Sequence, residues 1–162
     1  MKLMSFIRKN RIVLGGMLWL KMEKINVGTA IDLSALGLDT IEETDTEIII
    51  GAMATLCDLE TNAALNAYTA GAVREAVRTL SACSSATAHG GRQHLWPVRL
   101  FRCADAVFGA GLRGRAVQAG RMPLAQFAAM PYDRDILTHI CLRKTPGLKV
   151  QYQSVRATQT DF

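Results

Sequence analysis

Aromatic side chains are scarce, at 6% of the 162 residues. Positive charge is nowhere gathered into a long run, so the net charge of +5 comes without the basic tract and stacking residues that a nucleic-acid groove uses. Nucleic acid is therefore not the expected partner. Cysteines are few and dispersed. Cys57, Cys83, Cys103 and Cys141 include no Cys-x-x-Cys pair, which argues against a secreted disulfide framework. No apolar run reaches bilayer-spanning length. Arg8, Lys9 and Arg11 ahead of the apolar Ile12–Leu20 imitate a signal peptide, but no small-residue cleavage site follows, and Lys21, Glu23 and Lys24 come at once. The expectation is a cytoplasmic protein with no membrane partner. No Ser–His–Asp or Cys–His nucleophile set is recognisable, so no catalytic residue is assigned.

What is present suits one domain. A 162-residue chain that is 49% hydrophobic can bury a core, yet it is too short for separate cofactor and substrate domains. Arg11–Leu14 reads as a short strand running into Gly15-Gly16, and Thr29–Leu33 as a second strand. Thr40–Glu43 and Glu47–Met53 read as two strands joined by the polar turn Thr44-Asp45-Thr46. Thr55, with Asp58 three residues on, predicts a capped helix over Leu56–Thr61. Ala72, Val73, Ala76, Val77 and Leu80 recur at helical spacing and predict a helix over Ala70–Leu80. Pro123 opens a short helix through Met130. Asp135–Leu142 and Leu148–Val155 read as an antiparallel pair across Thr145-Pro146-Gly147. Strands, then helices, then strands argue for an α+β fold, a mostly antiparallel sheet with helices on one side. The first strand begins almost at once and no element closes the chain, so a truncated domain is expected.

The Gly15-Gly16 pair, then Ala30-Ile31-Asp32-Leu33, then Ile50-Gly51-Ala52-Met53-Ala54-Thr55-Leu56 with Leu59, follow one another in an order that resembles a known family. This is the FAD-binding (medium) subunit of molybdopterin-containing dehydrogenases, the xanthine dehydrogenase and carbon monoxide dehydrogenase type. Leu124-Ala-Gln-Phe127, Asp135-Ile-Leu137 and Gly147-Leu-Lys-Val150 with Tyr152 resemble its later segments. The resemblance implies FAD as cofactor and electron transfer as the role. It also implies a molybdopterin-binding large subunit and an iron–sulfur small subunit as partners. In that family two Gly-rich loops cradle the FAD pyrophosphate. Here the first corresponds to Gly15 and Gly16, with Met17 and Leu18 offering backbone N–H groups where the family usually has Thr-Asp. The second corresponds to Gly90 and Gly91. Two alternatives stay open: a non-catalytic remnant of that domain that binds no FAD, and a small basic binding module.

The resemblance breaks over Thr79–Gly120, which holds five Arg, no Lys and a single acid, Asp105. The Ser-Asp step expected after the second loop is missing. Suitable codons for this stretch, read in shifted frames, can spell the missing loop, Ser-Asp step and apolar helix in family order. That motivates a translated-frameshift hypothesis, which the gene's nucleotide sequence decides. Three further motifs fall here. Gly109-Ala-Gly111-Leu-Arg-Gly114 matches the dinucleotide fingerprint, which needs a strand before it and a helix after it. Cys83, His89, His94 and Cys103 fit no standard zinc spacing, so no metal site is assigned. Arg92, Arg99, Arg102, Arg113 and Arg115 read as a solvated, poorly ordered loop. His139, alternating with apolar residues, reads as structural, and Asp133 and Asp135 as capping groups.

Overall fold

The computed structural model describes residues 11–14, 26–81, 112–130 and 135–153. Strands β1 (Arg11–Leu14) and β2 (Thr29–Asp32) pair in parallel, with Leu14 opposite Asp32. A 3-10 turn at Ser34–Leu36 leads to β3 (Ile41–Glu43) and β4 (Glu47–Gly51). Helices α1 (Leu56–Thr61), α2 (Ala63–Tyr68) and α3 (Ala72–Ser81) follow. Then come β5 (Leu112–Ala116), β6 (Gly120–Pro123), α4 (Leu124–Ala128) and β7 (Leu137–Arg143). The main sheet has the order β3-β4-β7-β5-β6, and every neighbouring pair in it is antiparallel. The α+β expectation holds, with helices on one side of this sheet.

Alternation along the strands decides which face the helices cover. Ile48, Leu142 and Leu112 form one cross-strand row of the covered face, and Ile50, Ile140 and Gly114 the next. These side chains pack with Leu56 and Leu59 of α1, Leu65 of α2, Val73, Ala76 and Val77 of α3, and Leu124 of α4. Gly114 is small for a reason of space: an added Cβ would stand 2.9 Å from Leu137 Cδ1 and 3.3 Å from Leu124 Cδ1. A second, smaller core of Leu33, Leu38, Met53 and Ile136 receives Val13 and Ile31 and ties the parallel pair to the main sheet. No described helix is long and apolar enough to cross a membrane.

Several local readings are met. The hairpin of β3 and β4 forms, and Thr55 closes a reciprocal capping box with Asp58 at the start of α1. Three expectations need correction. The long helix starts at Ala72 rather than Ala70, because Ala70 (φ 50) and Gly71 (φ 79) adopt left-handed backbone, which ends α2 and restarts the chain. Helix α2 was not expected; Asn62 caps it by accepting from the Leu65 N–H at 2.9 Å.

The third correction concerns Leu148–Val155, whose described part, residues 148–153, is not a strand. Both edges of β7 are already taken by β4 and β5, so a hairpin partner has no free ladder to join. The turn itself is real. Leu148 N–H donates to the Thr145 carbonyl at 3.2 Å, and Gly147 takes φ 77. Beyond it the chain lays Val150 and Tyr152 on the main core. Tyr68 fastens this return, its hydroxyl accepting from the Thr145 N–H at 2.7 Å and donating to the Arg143 carbonyl at 3.2 Å.

Candidate functional site

The carboxyl edge of the parallel pair is where the sequence reading converges. Ligands of open sheets with parallel strands settle outside the carboxyl ends of those strands, where glycine loops expose backbone N–H groups. The register places Leu14, the last described residue of β1, opposite Asp32. The candidate cofactor residues Gly15, Gly16, Met17 and Leu18 come next in the chain and lie outside the described residues, as do Gly90 and Gly91. The strands on either side of the first loop in sequence, β1 and β2, are described.

The end of β2 has definite chemistry. Asp32 Oδ1 accepts from the Ser34 N–H at 3.0 Å and from the Ser34 hydroxyl at 2.6 Å, which turns the chain at the end of β2. The turn is exposed, whereas Leu33 beneath it is fully buried against Met53, Leu38 and Ile136. An exposed carboxylate on an apolar floor suits a hydroxyl-bearing ligand group better than a phosphate, which it repels.

The junction of β4 and α1 supports the same edge from below. Gly51 N–H donates to the Thr40 carbonyl at 2.8 Å, Ala52 N–H to the Thr138 carbonyl at 2.8 Å, and Met53 N–H to the Leu38 carbonyl at 2.7 Å. A Cβ on Gly51 would lie 2.1 Å from the Leu38 carbonyl oxygen. Ala52, Met53 and Ala54 are buried. The Thr55 hydroxyl donates to Asp58 Oδ2 at 2.6 Å and accepts from the Asp58 N–H at 3.0 Å, so capping engages it. The Ile-Gly-Ala-x-x-Thr string is thus accounted for by backbone packing.

Other residues singled out in the sequence have comparable duties. Asp135 is buried. Its carboxylate accepts from the N–H groups of Gln118 (3.0 Å), Ala119 (2.8 Å) and Ile136 (2.8 Å), fastening the turn between β5 and β6. Asp133 lies outside the described residues. His139 sits on the sheet face away from the helices. Burial first, then the Arg115 guanidinium, push its pKa below the ordinary 6.5, with Glu42 opposing them. On the same face burial pushes the Cys141 thiol up, opposed in part by Arg121. The dinucleotide-like match ends inside β5, where Gly114 is followed by the turn to β6 instead of a helix, which removes the Rossmann reading. Arg113 and Arg115, read as loop residues, stand on that strand. Cys83, His89, His94 and Cys103 lie outside the described residues. Among the described residues no three His, Cys, Asp or Glu side chains gather as metal ligands.

No family model matches the sequence, and no curated protein matches it. Solved structures do match. Quinoline 2-oxidoreductase from Pseudomonas putida 86 aligns with a TM-score of 0.71 at 12% identity, over 89% of this chain and 57% of that one. Carbon monoxide dehydrogenase from Hydrogenophaga pseudoflava, in a form lacking the Mo-pyranopterin moiety, aligns with a TM-score of 0.70 at 17% identity, over 90% and 55%. A Cu,Mo-CO dehydrogenase in its cyanide-inactivated form gives 0.69 at 19% identity, over 88% and 56%. The fold resembles part of these oxidoreductase chains. This chain spans little more than half the length of those it matches.

Proposed function

We propose that this chain carries FAD as the flavin-binding, electron-transfer part of a molybdenum hydroxylase-type oxidoreductase of the cytoplasm. In this reading Gly15 and Gly16, with the backbone N–H groups of Met17 and Leu18, take the first pyrophosphate contact, and Gly90 and Gly91 the second. When bound, the flavin supplies the redox chemistry, and the protein supplies position and electrostatics. A molybdopterin-binding large subunit and an iron–sulfur small subunit are the partners this role calls for. The observation that carries the reading is the Leu14–Asp32 register. Leu14 ends one strand of a parallel pair and Gly15 follows it in the sequence, within a fold similar to that of the oxidoreductase chains.

Titration of the purified chain with FAD tests this. The expected result is saturable quenching of flavin fluorescence, lost in the Gly15→Val/Gly16→Val double variant while the thermal melt is retained. A folded, colourless protein that leaves flavin fluorescence unchanged would refute the reading and leave the non-binding remnant.

A further inference from the structure

The sheet face turned away from the helices is strongly charged. Arg113 and Arg115 of β5, Arg121 of β6 and Arg143 of β7 share it with Glu42 of β3 and Glu47 of β4, as the cross-strand registers fix. Arg121 and Glu47 form a bidentate pair at 2.9 and 3.1 Å. Arg113, Arg115 and Arg143 have no ion pair among the described residues. Arg143 stands opposite Glu47, which Arg121 already engages, and the other charged neighbours of these arginines are like charges. Arg115 stands directly opposite Arg121. Arg113 faces Cys141, which makes it the diagonal neighbour of Arg143. Like charges directly opposite on adjacent strands destabilise a sheet. The described helices all pack on the other face, in the main core.

We propose that this face docks an acidic protein surface whose carboxylates pair with Arg113, Arg115 and Arg143. Charge complementarity names the occupant. Guanidinium groups on a flat sheet present paired donors that match carboxylates. Glu42 and Glu47 within the patch oppose a continuous polyanion, and the described residues of this face include no Phe, Tyr or Trp on which bases could stack. A protein surface of mixed sign satisfies both conditions. The proposal goes beyond the flavin reading and stands without it, because none of these residues belongs to the glycine-loop edge.

Binding of a fluorescent acidic peptide of mixed sign, a Glu-Glu-Lys repeat, to the full chain, followed by anisotropy at low salt, is the test. The triple variant R113S/R115S/R143S is compared with R74S/R78S/K149S, which removes equal charge from exposed positions elsewhere. Loss of three exposed ion pairs predicts roughly tenfold weaker binding for the first variant and a change within about twofold for the second. Equal weakening in both would reduce the effect to net charge and overturn the proposal. So would absence of binding by the wild type. A single-stranded oligonucleotide bound more tightly than the Glu-Glu-Lys peptide, and released by the first variant, would overturn it in favour of nucleic acid. If the triple variant fails to fold, the single substitutions Arg113→Ser and Arg143→Ser, both at exposed positions, carry the comparison.

Discussion

Replacing Gly51 by Ala should damage the fold more than its chemistry alone would imply. A methyl group there would meet the Leu38 carbonyl oxygen at 2.1 Å, the Leu38 carbonyl carbon at 2.6 Å and the Thr40 carbonyl oxygen at 3.1 Å. All three are backbone atoms, so no side chain can swing aside. The segment from Leu38 to Thr40 would have to retreat. It is held by the bonds from Gly51 N–H to Thr40 (2.8 Å) and from Met53 N–H to Leu38 (2.7 Å). Losing both bonds costs roughly 1 kcal/mol each. Overpacking adds roughly 1–3 kcal/mol. Retreat also pulls Leu38 out of the small core with Leu33, Met53 and Ile136. We expect a loss of about 4 kcal/mol, a large part of the roughly 5–15 kcal/mol margin of an ordinary domain. Urea unfolding followed by far-UV circular dichroism measures it. Gly37→Ala is the control: Gly37 has φ 62 but open space around its Cβ position, so that substitution should cost only about 1–2 kcal/mol of backbone strain. If Gly51→Ala proves no worse than Gly37→Ala, the close approach of the two segments is wrong.

Asp135→Ala leaves the N–H groups of Gln118, Ala119 and Ile136 without their acceptor, and should cost about 2 kcal/mol. Hydrogen exchange should accelerate at Gln118 and Ala119 first, and unchanged protection there would count against the staple. Thr55→Ala removes one half of the capping box, with an expected loss of about 1 kcal/mol in urea unfolding. The depressed His139 pKa makes the neutral imidazole the native form. Its contribution is fully present above the unfolded value of 6.5 and is lost as pH falls through the lower native value. His139→Gln should flatten that part of the stability–pH curve. Arg115→Ser should move the His139 titration upward by NMR, and an unmoved titration would exclude Arg115 as a cause.

The two strand neighbourhoods that the sequence misplaced were hidden for different physical reasons. Leu112, Gly114 and Ala116 alternate with Arg113 and Arg115, a period-two pattern in which glycine occupies a core position. Glycine normally punctuates strands, so the alternation is concealed by the residue that makes room for Leu137 and Leu124. The place of β7 between β4 and β5 is hidden differently. Its partners include residues such as Ile50, paired with Ile140, and no local spacing encodes so distant a pairing. By contrast α1 and the hairpin of β3 and β4 depend on contacts a few residues apart, and both were legible.

The same distinction bears on function. Of the residues that carried the family resemblance, Gly51 makes room for backbone, Thr55 caps a helix and Asp135 ties a turn. Each does a task that any protein with this fold must perform, whatever it binds. Neighbours at 12–19% identity can therefore share these strings through the demands of the fold alone, and the strings carry no information about cofactor chemistry. On the proposed reading that information would reside in Gly15 and Gly16, which follow Leu14 in the chain. Substitutions at Gly51, Thr55 or Asp135 should lower flavin affinity only as far as they unfold the protein. Substitutions at Gly15 and Gly16 should lower it with the melt unmoved, and it is this separation that divides a flavin carrier from a domain that keeps only the shape of one.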